Sequence, residues 1–203
     1  DGKIVSGKGG EVGVSGFTVT GLAADTATAY GLEKGGQFTL SSGRIQIGGT
    51  PDTELGALNL DPGFFERGGF AGFGLTALTQ LTFAEGVQIK PRVKNRELQP
   101  GYMLHTTGSR IKDFSRVVTR DDQLRQAANL ALAARQEGAG EILIGQGARI
   151  DADPKAKITL EARNLIDIQG RITAPGGTIT ALLNSSGGER GNPSNLWLGK
   201  EAV

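Results

Sequence analysis

An all-β solenoid of short stacked strands is the fold class this sequence predicts, and three observations predict it. Two stretches, Phe73 to Lys90 and Ile158 to Pro175, repeat each other without a gap, 85 positions apart. Their apolar residues fall in phase: Ile158 with Phe73, Leu160 with Leu75, Ala162 with Ala77, Ile166 with Leu81, Ile168 with Phe83, Ile172 with Val87 and Ala174 with Ile89. Within each short run these residues stand two apart, the period of a strand with one buried face. The second observation is an echo: Leu196-Trp-Leu-Gly199 repeats Ile142-Leu-Ile-Gly145 at a displacement of 54. The third is composition. Glycine supplies 33 of 203 residues and aromatics only 5%, a balance that suits many tight turns between short strands. Three such strands joined by turns make one coil, and repeats of about this length are the mark of a solenoid.

Chain order supports the same reading. Residues 1–50 hold short alternating pieces: Lys3 to Val5, Glu11 to Val14, Phe17 to Val19, Gln37 to Leu40 and Arg44 to Ile47. Glycine pairs at Gly9-Gly10, Gly35-Gly36 and Gly48-Gly49 separate several of them. The unit Gly35-Gly-Gln-Phe-Thr-Leu40 resembles Gly176-Gly-Thr-Ile-Thr-Ala181, two glycines at a corner followed by an alternating strand. Residues 51–72 are less regular. The cluster Phe64, Phe65, Phe70 and Phe73 reads as core filling rather than as a ligand platform.

An irregular and helical insertion is expected at about residues 91–138. Thr119 reads as an N-cap with Asp121 and Asp122 in the first turn. Leu124, Ala127, Ala128, Ala131 and Leu132 mark one helical face, and Gly138 supplies a stop. The expectation is therefore one β-helix over residues 1–203 with one α-helix outside the stack. From Glu141 the rungs resume, and Gly187 to Asn195 reads as a protruding polar loop. The abrupt start at Asp1 and the new rung at the end read as a fragment of a longer repetitive protein.

Composition narrows the functions. The formal net charge is +1 with acids and bases interspersed, which gives no footprint for nucleic acid. No apolar run is long enough for a membrane span. With no cysteine and one histidine, a structural zinc site is excluded and disulfides play no part. No cofactor motif is present: glycine is abundant, but neither dinucleotide nor P-loop spacing occurs. His105 has no nucleophile elbow to serve. Asp151, Asp153, Lys155 and Lys157 could form a polysaccharide-cleaving patch, and Asp167 stands on another strand. No second row of acids at rung spacing completes a site, so a solvated, alternately charged edge is the preferred reading. Arg110, Lys112, Arg116, Arg120 and Arg125 are the candidate binding residues, suited to an acidic glycan or phosphate. Their competing reading is a solvated face paired with Asp113, Asp121 and Asp122.

The rung from Gly170 to Thr180, the closing Leu196 to Gly199, and the run from Leu60 to Phe70 followed by Phe73-Gly-Leu75 resemble filamentous-haemagglutinin-type large exoproteins. That resemblance covers the chain from about Gly35 onward. It implies a right-handed parallel β-helix and a role as a secreted surface or biofilm-matrix adhesin of a Gram-negative bacterium. It implies export through an outer-membrane two-partner secretion transporter. Exopolysaccharide or the glycans of host and neighbouring cells are the implied partners. The short Asn-rich motifs of the family's secretion domain are not found here, which implies shaft or a distal segment rather than the part that engages the transporter. The expectation is a non-enzymatic structural segment. The alternatives on the same scaffold are a polysaccharide lyase or glycosidase, and a glycan-binding module without turnover.

Overall fold

The structure, a computed structural model, describes residues 7–20, 22, 27–50, 56–184, 194–200 and 202. The Lys3–Val5 strand and most of the Gly187–Asn195 loop lie outside them. The strands begin with β1 (Glu11–Ser15), β2 (Gly36–Ile47) and β3 (Leu58–Leu60), followed by β4 (Phe70–Phe83) and β5 (Gln88–Ile89). A hairpin of β6 (Asn95–Leu98) and β7 (Ser115–Val118) leaves the stack. The stack resumes with β8 (Asn129–Ala134), β9 (Glu141–Ile144) and β10 (Arg149–Asp151). It continues with β11 (Lys157–Ala162), β12 (Leu165–Ile168) and β13 (Arg171–Thr173), then β14 (Thr178–Leu183) and β15 (Asn195–Leu198).

Apart from the hairpin, every strand pair is parallel, and each strand bonds to its counterparts in the neighbouring turns of the chain. The first face runs β1, β2, β4, β8, β11, β14, using the first halves of β2 and β4. The second runs β3, β2, β4, β9, β12, β15, using their second halves. Because β2 and β4 pass through both faces, the two form one continuous sheet. The third face is short: β5, β10, β13. The result is a solenoid of mostly parallel strands with no long helix among the described residues.

Side chains from successive turns stack in register. One column is Phe38, Phe73, Leu130, Ile158 and Ile179, and the next is Leu40, Leu75, Leu132, Leu160 and Ala181. On the second face the column is Ile45, Leu81, Ile142, Ile166 and Leu196. The inner members are essentially dry, whereas Ile179 and Leu196 on the last rung are about half exposed. A single rung buries too little apolar surface to offset the entropy of ordering its backbone. Stacking completes the strand ladders and closes the apolar face, so stability arises between neighbouring rungs.

These registers bear out the echo of Ile142–Gly145 in Leu196–Gly199 and the likeness of the Gly35 and Gly176 units. They revise the 85-residue repeat in two ways. Leu130 lies between Phe73 and Ile158, so the repeat spans two rungs rather than one. On the third face Ile172 stacks on Ile150 and Ile89, not on Val87. The corner from Leu81 to Ile89 is two residues longer than that from Ile166 to Ile172, and a gapless alignment cannot show this. The longer corners need left-handed backbone at Gly86 (φ 68°) and Gly147 (φ 70°), which are stacked on one another.

The α-helix expected from Thr119 to Gly138 does not exist. Residues 121–125 make one turn, with Leu124 and Arg125 both donating N–H to the Asp121 carbonyl. Residues 129–134 are β8, and Leu130, Leu132 and Ala134 point inward. Ala and Leu favour helix in isolation, but β8 lies between β4 and β11 and satisfies both their edges. A helix there would leave two buried ladders unpaired, a cost that outweighs propensity. The expected insertion at 91–138 is therefore a shorter excursion. The chain leaves after Arg92 and returns at Ala127, where the two form an antiparallel bridge.

The phenylalanines fill the interior as expected. Asp61 Oδ1 accepts the Gly63 N–H at 2.8 Å and starts a 3-10 helix, Pro62–Glu66, that turns Phe64 and Phe65 inward. With Phe38, Phe70 and Phe73 they form one cluster with ring centroids 4.7–6.4 Å apart, mostly edge-on or tilted.

Candidate functional site

Arg125 is the one strongly perturbed ionisable group among the described residues. It sits just before the chain rejoins the stack, and its side chain is 2% exposed. Nε donates to Asp153 Oδ2 and Nη2 to Asp153 Oδ1, both at 2.6 Å, a bidentate pair with a buried carboxylate. Nη2 also meets Asp122 Oδ1 at 2.6 Å, and Nη1 donates to the Arg120 carbonyl at 2.7 Å. The hydrogen bond to Asp153 is the main reason that the guanidinium is held above its already high ordinary pKa, against the opposing effect of burial. This cluster clips the end of the excursion to the corner before β11.

The five candidate basic residues are thus not one surface. Arg125 is a buried strut. Arg120 donates to the Leu32 carbonyl at 2.7 Å and ties the excursion to the segment before β2. Arg116, on β7, makes a two-pronged contact with Glu97 across the hairpin at 2.8 and 3.1 Å. It is exposed, and so contributes little to stability. Arg110 and Lys112 stand exposed near the hairpin tip and remain available to a ligand. Spacing along the chain could not separate these roles, because the partners Asp153 and Leu32 are remote in sequence.

The acidic patch is divided too. Asp153 is 6% exposed with both oxygens occupied by Arg125. Asp151 pairs with Thr173 in the third-face ladder and is half-buried. Lys155 holds left-handed backbone (φ 67°) in a turn after Pro154. Lys157 starts β11, its N–H bonded to Asn129 Oδ1 at 2.8 Å. Asp167 accepts from Gln169 Nε2 at 2.6 Å. His105 is exposed, with its ring 5.2 Å from that of Phe114. No group of acids and histidines that could hold a metal ion occurs among the described residues.

Two surfaces the sequence reading did not single out carry exposed apolar groups. Trp197 is 61% exposed on the outer side of the second face, beside Asp167. Met103 and Leu104 stand at the hairpin tip on a turn of 3-10 helix, Tyr102–Leu104, after Gly101 in left-handed backbone. Their adjacency in Tyr102-Met-Leu-His105, outside any alternating pattern, was the available signal. No helix among the described residues is long and apolar enough to cross a membrane. Comparison with protein-family models, curated proteins and solved structures finds no match to this chain.

Proposed function

We propose that the chain is a segment of the shaft of a secreted bacterial surface or biofilm-matrix adhesin, coiled as a right-handed parallel β-helix of the filamentous-haemagglutinin type. The observation that carries this reading is the interior: apolar columns running without interruption from β2 to the last rung. Such a molecule lengthens by about 4.8 Å with each added rung. Its natural work is to hold a contact region at a distance, or to link cells to exopolysaccharide. On this reading the parent leaves the cell through an outer-membrane two-partner secretion transporter and meets exopolysaccharide or the glycans of host or neighbouring cells. Excursions from a solenoid carry its variable contacts, which points to the β6–β7 hairpin with Arg110 and Lys112.

The state of Asp153 supports this reading over a lyase or glycosidase. A carboxylate with both oxygens taken by a buried arginine is poorly placed to bind calcium or move a proton. The test uses beads coated with the chain, presented to exopolysaccharide-producing cells. In parallel the chain is incubated with acidic polysaccharides, with and without calcium. Adhesion without new reducing ends or unsaturated sugars supports the shaft. Turnover that disappears in Asp151→Ala would replace it with the enzyme, and neither adhesion nor turnover would leave the adhesin reading without support.

A further inference from the structure

We propose that the tip of the β6–β7 hairpin is a membrane-contact element that seats in the interface of an anionic lipid bilayer. This inference is independent of the shaft reading. The tip runs from Gln99 to Phe114 and is closed at its neck by the Gln99 N–H donating to the Phe114 carbonyl at 2.9 Å. Two turns of 3-10 helix, Tyr102–Leu104 and Ile111–Asp113, shape it. Met103 and Leu104 are 82% and 88% exposed, more than any other large apolar side chain among the described residues. Ile111 on the second turn is 42% exposed.

Charge identifies the occupant. From Gln99 to Phe114 the tip carries two cations, Arg110 and Lys112, against one acid, Asp113 at its far end, and no acid stands between Gln99 and Lys112. Apolar side chains beside cations suit the boundary between headgroups and acyl chains, where the first are buried and the second meet lipid phosphates. Such a surface needs no shape match, only exposed apolar side chains beside cations.

The stem is tied to the stack where the tip is exposed. Asn95 is fully buried, and its Nδ2 lies 3.3 Å from the Glu33 carbonyl and 3.4 Å from that of Gly31. The Arg96 N–H donates to the Gly31 carbonyl at 2.8 Å. Arg120 and Arg125 fix the returning strand. The apolar pair is thus presented by a stem that is already ordered, so contact costs little further conformational entropy.

The test is co-sedimentation of the whole chain with phosphatidylcholine vesicles, with and without phosphatidylglycerol. Anionic vesicles should bind at least about tenfold better, and the advantage should fall as salt is raised. Met103→Asp with Leu104→Asp should lose at least about tenfold. Arg110→Gln with Lys112→Gln should lose about fivefold per cation on anionic vesicles only. All four side chains are exposed, so the circular dichroism spectrum should not change. A Met103→Trp reporter in a Trp197→Phe background should shift its emission to the blue on anionic vesicles. Equal binding to both vesicle types, no binding to either, or binding unchanged by the Met103 and Leu104 replacements overturns the proposal. A protein ligand that binds the tip while vesicles do not overturns it as well.

Discussion

Removing the Arg125 side chain should destabilise this molecule more than removing any exposed charge. In Arg125→Ala, Asp153, which is 6% exposed in the intact protein, loses two donors at 2.6 Å, and the Arg120 carbonyl loses one at 2.7 Å. Breaking a buried pair from one side costs about 3–5 kcal/mol, because the remaining charge is stranded. Replacing both members, as Arg125→Met with Asp153→Leu, removes the stranded charge and should cost less than either single change. The comparison is Arg116→Ala, whose partner Glu97 is half exposed, and it should cost less than about 1 kcal/mol. Urea unfolding followed by far-ultraviolet circular dichroism measures each of these variants, and amide exchange in β11 reports whether the corner opens locally. Because the folded arginine has a raised pKa, its contribution is complete below the ordinary guanidinium range. It is lost only as pH climbs through the still higher folded value. The Arg125→Ala deficit should therefore stay constant from neutral into moderately alkaline solution. An Arg125→Ala cost below about 1 kcal/mol would show that Asp153 is solvated, and the account of the clip would fail.

Three further outcomes follow from the packing. Gly176 and Gly177 are neighbours with different constraints: Gly176→Ala meets open space but left-handed backbone (φ 60°) and should cost about 1 kcal/mol by thermal unfolding. Gly177→Ala would place a Cβ 2.2 Å from the Ala156 carbonyl oxygen and should cost more, about 1–3 kcal/mol; the reverse order would contradict the corner geometry. Lys155 has the same left-handed backbone in the preceding corner, so Lys155→Gly should stabilise by up to about 1 kcal/mol, and a loss of stability would mean that its side chain is held. Phe64→Ala empties the centre of the aromatic cluster and should cost about 3–5 kcal/mol in the same melts; a cost near that of an exposed residue would show that the cluster is not packed.

Where the side-chain pattern had a single period, the sequence was readable. Ile158, Leu160 and Ala162 alternate with Thr159 and Glu161, and they form an edge-to-edge buried row as expected. Ile142 and Ile144 likewise stand in register with Leu196 and Leu198 through β12, although the latter two, on the last described rung, are exposed. Residues 124–134 satisfied two periods at once, because alanine and leucine fit either a helical face or an alternating strand. Local propensity then pointed to helix, and the unpaired edges of β4 and β11 decided for strand. The candidate binding set divided for a similar reason. Five basic residues in one stretch look alike in sequence, yet Arg125 and Arg120 are taken up by Asp153 and Leu32, whereas Arg110 and Lys112 stay on the surface.

What the sequence determined alone was a chain of short, one-sided strands separated by glycine corners, since alternation and positive-φ demand are local properties. Which rung lies on which was decided only in three dimensions. The hidden rung through Leu130, the two-residue difference between the corners ending at Ile89 and Ile172, and the return of β3 to the edge of β2 all depend on ladder hydrogen bonds between distant segments. Those bonds form between whichever strands are left facing each other, and local sequence does not specify that choice.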